Sequence, residues 1–134
     1  MPRVDSTRPS ILIVEDDHSL LSALTFALET EGFDVRPYHD GDSLLAETRR
    51  TEVDCLVIDL KLPGMDGLSL LATLREKNVR APAILITSHP NRRCETGARA
   101  AGVEIVEKPL LDGALGHAIE RAVNSANHSR SPEA

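Results

Sequence analysis

Four short apolar runs in this sequence each lead into a side chain able to do chemistry. Glu15, Asp16 and Asp17 follow residues 11–14, Asp59 follows residues 55–58, Thr87 follows residues 83–86, and Lys108 stands just beyond residues 104–106. In an open sheet of parallel strands, groups beyond the carboxyl ends of the strands meet at one rim, so these residues converge if the runs are strands of one sheet. Carboxylates gathered there repel: two unit charges about 5 Å apart, at an effective dielectric of about 20, cost roughly 3 kcal/mol. A cation must therefore sit among them. Oxygen ligands with room for water suit Mg²⁺ rather than zinc or copper, and Lys108 adds a fixed positive charge.

The negative charges of Glu15, Asp16 and Asp59 are balanced by a divalent ion together with Lys108, which leaves a neutral site that a phosphate dianion can approach. A carboxylate can then act as a nucleophile toward phosphorus and form an aspartyl phosphate. In such a transfer the protein mainly positions groups and stabilises charge.

The elements that must position these groups are legible in the hydrophobic pattern. Residues 11–14, 55–58 and 83–86 lack alternation and are rich in β-branched side chains, the pattern of strands buried on both faces. Two further strands are expected at 33–36 and 104–106, each behind a glycine, Gly32 or Gly102, that can end a helix. Between them, Leu20, Leu21, Leu24, Ala27 and Leu28 recur at helical spacing behind a start near Asp17. Asp42 is the expected cap of a second helix carrying Leu44 and Leu45 and ending in Arg49 and Arg50. Asp66 opens a third, with Leu68, Leu71, Ala72 and Leu74 inward, while residues 92–101 form a fourth. A fifth starts near Asp112 and carries Leu115, Ala118, Ile119 and Ala122. Strand and helix alternate five times, which predicts an α/β, flavodoxin-like (βα)5 fold: a doubly wound parallel sheet of order 2-1-3-4-5. The domain spans 10–124, between a flexible extension at 1–9 and a tail at 125–134 that frays.

Composition narrows the function classes. A formal charge of -6 gives no basic footprint for nucleic acid. No apolar run approaches the ~20 residues of a membrane span, and the amino terminus lacks the apolar core of a secretory signal, so a cytoplasmic location is expected. Cys55 and Cys94 are too few for a zinc site and read as buried small hydrophobes. His18, His39, His89, His117 and His128 show no metal-ligand spacing and read as solvated or capping residues. His18 is the candidate for a histidine phosphodonor, but its place behind the acid run argues against that role.

Together these residues resemble the receiver domains of response regulators. The likeness is carried by Ile11-Leu12-Ile13-Val14-Glu15-Asp16-Asp17, by Val57-Ile58-Asp59-Leu60-Lys61-Leu62-Pro63-Gly64-Met65-Asp66-Gly67, by Thr87-Ser88 and by Glu107-Lys108-Pro109. It implies that Asp59 is the phosphoacceptor and that Asp16, Asp59 and the backbone carbonyl of Lys61 hold Mg²⁺, with Glu15 acting through metal-bound water. Thr87 and Lys108 would bind the phosphoryl group, and the Lys108-Pro109 peptide would be cis. The implied partners are a sensor histidine kinase or a histidine phosphotransfer protein, and a downstream protein contacted through the fourth helix, fifth strand and fifth helix.

The chain also departs from the family pattern. Ile105 stands where receivers usually carry an aromatic residue, so the switch must differ in detail, and Pro90 should alter the entry to the fourth helix. Lys61 and His89, two residues beyond Asp59 and Thr87, are the candidates for setting the phosphate lifetime. The main expectation is a stand-alone phosphoacceptor that acts only on its own phosphorylation state and is not otherwise an enzyme. The alternatives are the receiver portion of a longer transcriptional or enzymatic regulator, and an aspartyl-phosphate phosphohydrolase. The last would carry a second Asp two residues after Asp59, where this chain has Lys61.

Overall fold

The unbroken apolar runs become strands because only burial on both faces accommodates them. A computed structural model of the chain describes residues 8–46, 52–108 and 113–130, the last five of these as backbone only. Its strands β1 (Ser10–Val14), β3 (Cys55–Asp59) and β6 (Ala83–Thr87) form the centre of a sheet, and every residue of β3 and β6 is buried. β2 (Asp34–Tyr38) and β7 (Glu104–Glu107) flank them, giving the order β2-β1-β3-β6-β7 with all pairs parallel. This is the flavodoxin-like order expected from the sequence.

Successive side chains of a strand point to opposite faces, so the central strands feed two cores. Ile11, Ile13, Cys55, Val57, Ile84 and Ile86 pack with α1 (His18–Thr30) and α5 (Ala114–Arg130) on one side. Leu12, Val14, Leu56, Ile58 and Leu85 pack with α2 (Gly41–Ala46), α3 (Gly67–Glu76) and α4 (Arg92–Ala101) on the other. Among the inward residues expected for the helices, Ala27 and Ala72 prove exposed, while Leu70 is fully buried.

Several boundaries differ from the sequence reading for identifiable reasons. β2 continues through Pro37, which an edge strand tolerates because a missing N–H there breaks no ladder bond. Asp40, not Asp42, caps α2: its Oδ1 accepts from the Ser43 N–H at 2.7 Å. Asp17, Asp66 and Asn91 cap α1, α3 and α4 by the same kind of bond. Cys94 is half-buried, not a core residue, and its Sγ accepts from the Asn91 N–H at 3.2 Å within that last cap. A two-residue hairpin, β4 (Lys61–Leu62) with β5 (Met65–Asp66), was not expected; Gly64, at φ +77°, makes its turn possible. α5 runs to Arg130, past the point at which fraying was expected. Arg49, Arg50, Pro109 and Asp112 lie outside the described residues, as do 1–7 and 131–134. Among the described residues, no helix is long and apolar enough to cross a membrane.

Candidate functional site

Strand register brings the chemistry-bearing residues to one rim. Val14 pairs with Ile58, so Glu15 and Asp59 emerge side by side; Asp59 pairs with Ile86, so Thr87 lies beyond it; Thr87 pairs with Glu107, so Lys108 comes next. Backbone bonds extend the ladder past the strands. The Leu60 N–H donates to the Ile86 carbonyl at 2.9 Å, and the Lys108 N–H donates to the Thr87 carbonyl at 2.8 Å.

Glu15, Asp16 and Asp59 each offer a carboxylate oxygen, and the offered oxygens lie within 4.8 Å of one another. Glu15 and Asp59 are buried and Asp16 is exposed at the rim. Lys108 reaches into the cluster, with Nζ 3.1 Å from Asp59 Oδ2 and 3.0 Å from Glu15 Oε1. Asp59 Oδ1 accepts from the Lys61 N–H at 3.0 Å, and Glu15 Oε2 accepts from the Asp17 N–H at 3.1 Å. Each buried carboxylate is thus held at one oxygen by a backbone N–H and faces the ammonium with the other.

Charge balance in the pocket is incomplete. Burial pushes the Glu15 carboxyl above its ordinary range and Asp59 adds to the push, while the Asp17 N–H and the Lys108 ammonium oppose it. Burial would depress the Lys108 ammonium, but Glu15 and Asp59 outweigh it and hold the group above its ordinary value. Glu15 Oε1 is a buried acceptor with no well-directed hydrogen bond, its ammonium neighbour notwithstanding. An oxygen-only donor set with a spare acceptor and an exposed side fits a hard divalent cation such as Mg²⁺.

Thr87 is buried at the wall of the pocket, its Oγ1 accepting from the His89 N–H at 3.2 Å. Lys61 and His89 are exposed at the mouth. Asp17 acts as the α1 cap, accepting the Leu20 N–H at 3.0 Å.

Two contributors were missed or misread in the sequence. Backbone N–H groups at Asp17 and Lys61 orient the acids, which no side-chain motif signals. Gly67 is required by close approach: a Cβ there would lie 2.5 Å from the Asp59 carbonyl oxygen and 3.0 Å from Leu60 Cα. α3 therefore starts pressed against the phosphoacceptor candidate's own backbone.

Residues 11–120 match the family model of the response regulator receiver domain. The chain belongs to that family, the receiver domains of two-component signalling. It is 34% identical over 114 residues to the transcriptional regulatory protein FixJ of Rhizobium meliloti, covering 84% of this chain and 56% of that protein. Against FixJ of Bradyrhizobium diazoefficiens it is 29% identical over 130 residues, covering 96% and 63%. The chain thus spans about three-fifths of the length of these relatives. Among solved structures, the crystal structure of FixJ-N superposes with a TM-score of 0.78 at 32% identity, covering 87% of this chain and 94% of that one. A CheY-like receiver domain from Methanospirillum hungatei gives a TM-score of 0.83 at 24% identity, covering 91% and 98%, a likeness of fold.

Proposed function

We propose that this receiver domain accepts a phosphoryl group on Asp59 and signals by a change in the surface formed by α4, β7 and α5. The observation that carries the reading is the juxtaposition of Asp59 with Glu15, Asp16 and Lys108, in which a buried carboxylate is flanked by two further acids and one ammonium. In the transfer a carboxylate oxygen of Asp59 forms a bond to phosphorus as the bond from phosphorus to the donor's leaving group breaks. The Lys61 N–H keeps Asp59 Oδ1 oriented, Lys108 offers its ammonium to the incoming phosphoryl oxygens, and Thr87 supplies a hydroxyl at the pocket wall. Glu15, Asp16, Asp59 and the carbonyl of Lys61 would hold Mg²⁺, which when bound offsets the charge of the acids and the phosphoryl oxygens.

The phosphodonor partner is a sensor histidine kinase or a histidine phosphotransfer protein, and the reaction is confined to the domain's own phosphorylation and dephosphorylation. On the output face Ile105 is half-buried against the α3 and α4 side, and Arg121 of α5 bonds Glu104 of β7 at 2.7 Å. With no aromatic side chain at position 105, the change passes through the packing of Ile105 and the Arg121–Glu104 pair. A second reading, the receiver portion of a longer regulator, is favoured by the length of the FixJ relatives.

Incubation with acetyl phosphate and Mg²⁺ tests the assignment by intact mass. The expected result is one phosphoryl adduct on the wild type and none on Asp59→Asn. Equal labelling of both would overturn it.

A further inference from the structure

Among the described residues, two histidines outside the acid pocket come together from distant parts of the chain. His18 opens α1 and His39 follows β2, and their ring centroids lie 5.2 Å apart with the planes inclined by 33°. Register explains the meeting: Val14 pairs with Tyr38, and the Glu15 N–H donates to the Tyr38 carbonyl at 3.0 Å, so the loops after β1 and β2 leave the sheet side by side.

We infer that His18 and His39 form a two-histidine site for a borderline transition-metal ion, Zn²⁺ being the probe of choice, distinct from the acid pocket. Spacing supports it. With a Zn–N bond of about 2.0–2.1 Å and a nitrogen about 1.1 Å from its ring centre, tetrahedral ligation puts two imidazole centroids roughly 5.2 Å apart.

Orientation supports it independently. His39 Nδ1 lies 3.2 Å from Asp40 Oδ2, while Asp40 Oδ1 is fixed by the Ser43 N–H at the start of α2. An anionic carboxylate this close to Nδ1 favours the tautomer that carries its hydrogen there and leaves Nε2 as the free donor, the outer arrangement that metal-binding histidines use. Both hydrogen bonds from Ser43 and the neighbouring His39 keep the Asp40 carboxyl below its ordinary value, so the orienting group is anionic. Imidazole nitrogen selects zinc, copper or nickel over Mg²⁺, so the two sites differ in the ion they take. Water completes the coordination, and the bound ion would tie the start of α1 to the loop before α2. The inference stands whether or not Asp59 is phosphorylated.

The test is calorimetric titration of the full chain with Zn²⁺ in millimolar Mg²⁺. Wild type is expected to bind one Zn²⁺ per chain. His18→Ala and His39→Ala, whose fold is checked by circular dichroism, are each expected to weaken it at least about tenfold, and Asp40→Asn by about tenfold through loss of the orienting charge beside Nδ1. Asp59→Asn is expected to keep the wild-type affinity. Undiminished affinity in either histidine variant, absence of Zn²⁺ binding in the wild type, or loss of binding in Asp59→Asn would each overturn the proposal.

Discussion

Lys108 Nζ stands 3.1 Å from Asp59 Oδ2, a contact between side chains 49 residues apart, and the same ammonium lies 3.0 Å from Glu15 Oε1. One cation thus serves two acids whose side chains are 6% and 1% exposed, so removing it and removing one acid have unequal consequences. Lys108→Ala leaves two buried carboxylates facing each other and is expected to lower stability by on the order of 3 kcal/mol in metal-free buffer. Asp59→Asn leaves Lys108 paired with Glu15 and relieves a repulsion, so its stability should stay within about 1 kcal/mol of wild type. Urea unfolding of both variants in chelator checks the asymmetry; equal losses would refute it.

Gly67→Ala places a methyl group against backbone atoms of Asp59 and Leu60, which cannot yield as a flexible side chain would. The expected loss is about 1–3 kcal/mol from overpacking, together with weaker labelling by acetyl phosphate because the Asp59 carbonyl must shift. Wild-type stability and labelling in this variant would show that α3 can draw back without moving the pocket.

Lys61 and His89 are exposed, and their backbone N–H groups bond Asp59 Oδ1 and Thr87 Oγ1. If Asp59 carries the proposed phosphoryl group, these two positions adjoin it and the Thr87 hydroxyl through those bonds, and their side chains are the candidates for tuning its hydrolysis. Lys61→Ala and His89→Ala are expected to change the decay rate of the adduct several-fold while leaving the fold intact. Mass-spectrometric decay curves that superimpose on the wild type would exclude both residues from that role.

The two thiols should separate cleanly in reactivity. Burial, with Asp54 nearby, pushes the Cys55 thiol up to about 12, far above a labelling pH of about 8, whereas Cys94 is partly accessible at the start of α4. A disulfide reagent should therefore modify one thiol per native chain and both in denaturant. Rapid reaction of both thiols in the native protein would contradict the placement of Cys55 in the core.

Most of the sheet and the acid pocket could be read from residue order, because unbroken apolar runs have few other uses and parallel strands carry their terminal side chains to one rim. What stayed hidden depends on tertiary geometry. The Asp17 and Lys61 N–H groups that orient the acids are present at every ordinary residue, so nothing in the letters singles them out. Asp40 and Asp42 are equally good caps by type, and the chain's path alone decides that Asp40 takes the Ser43 N–H. His18 and His39 looked unrelated because metal-ligand spacing is sought within a segment, whereas these rings meet through the pairing of β1 with β2. The hairpin after Asp59 is not legible either, since Pro63-Gly64 signals a chain reversal but not the short ladder on either side of it.

Pro37 has a consequence for crowded solutions. The Asp34 N–H donates to Pro9 and the Tyr38 carbonyl accepts from Glu15, so Pro37, one residue off that phase, turns its main chain toward the unpaired margin of β2. At that margin the ring nitrogen has no hydrogen to give, which interrupts the template that a sixth strand from another molecule would need. Fibrillar growth by stacking sheets end to end is thereby discouraged on this flank.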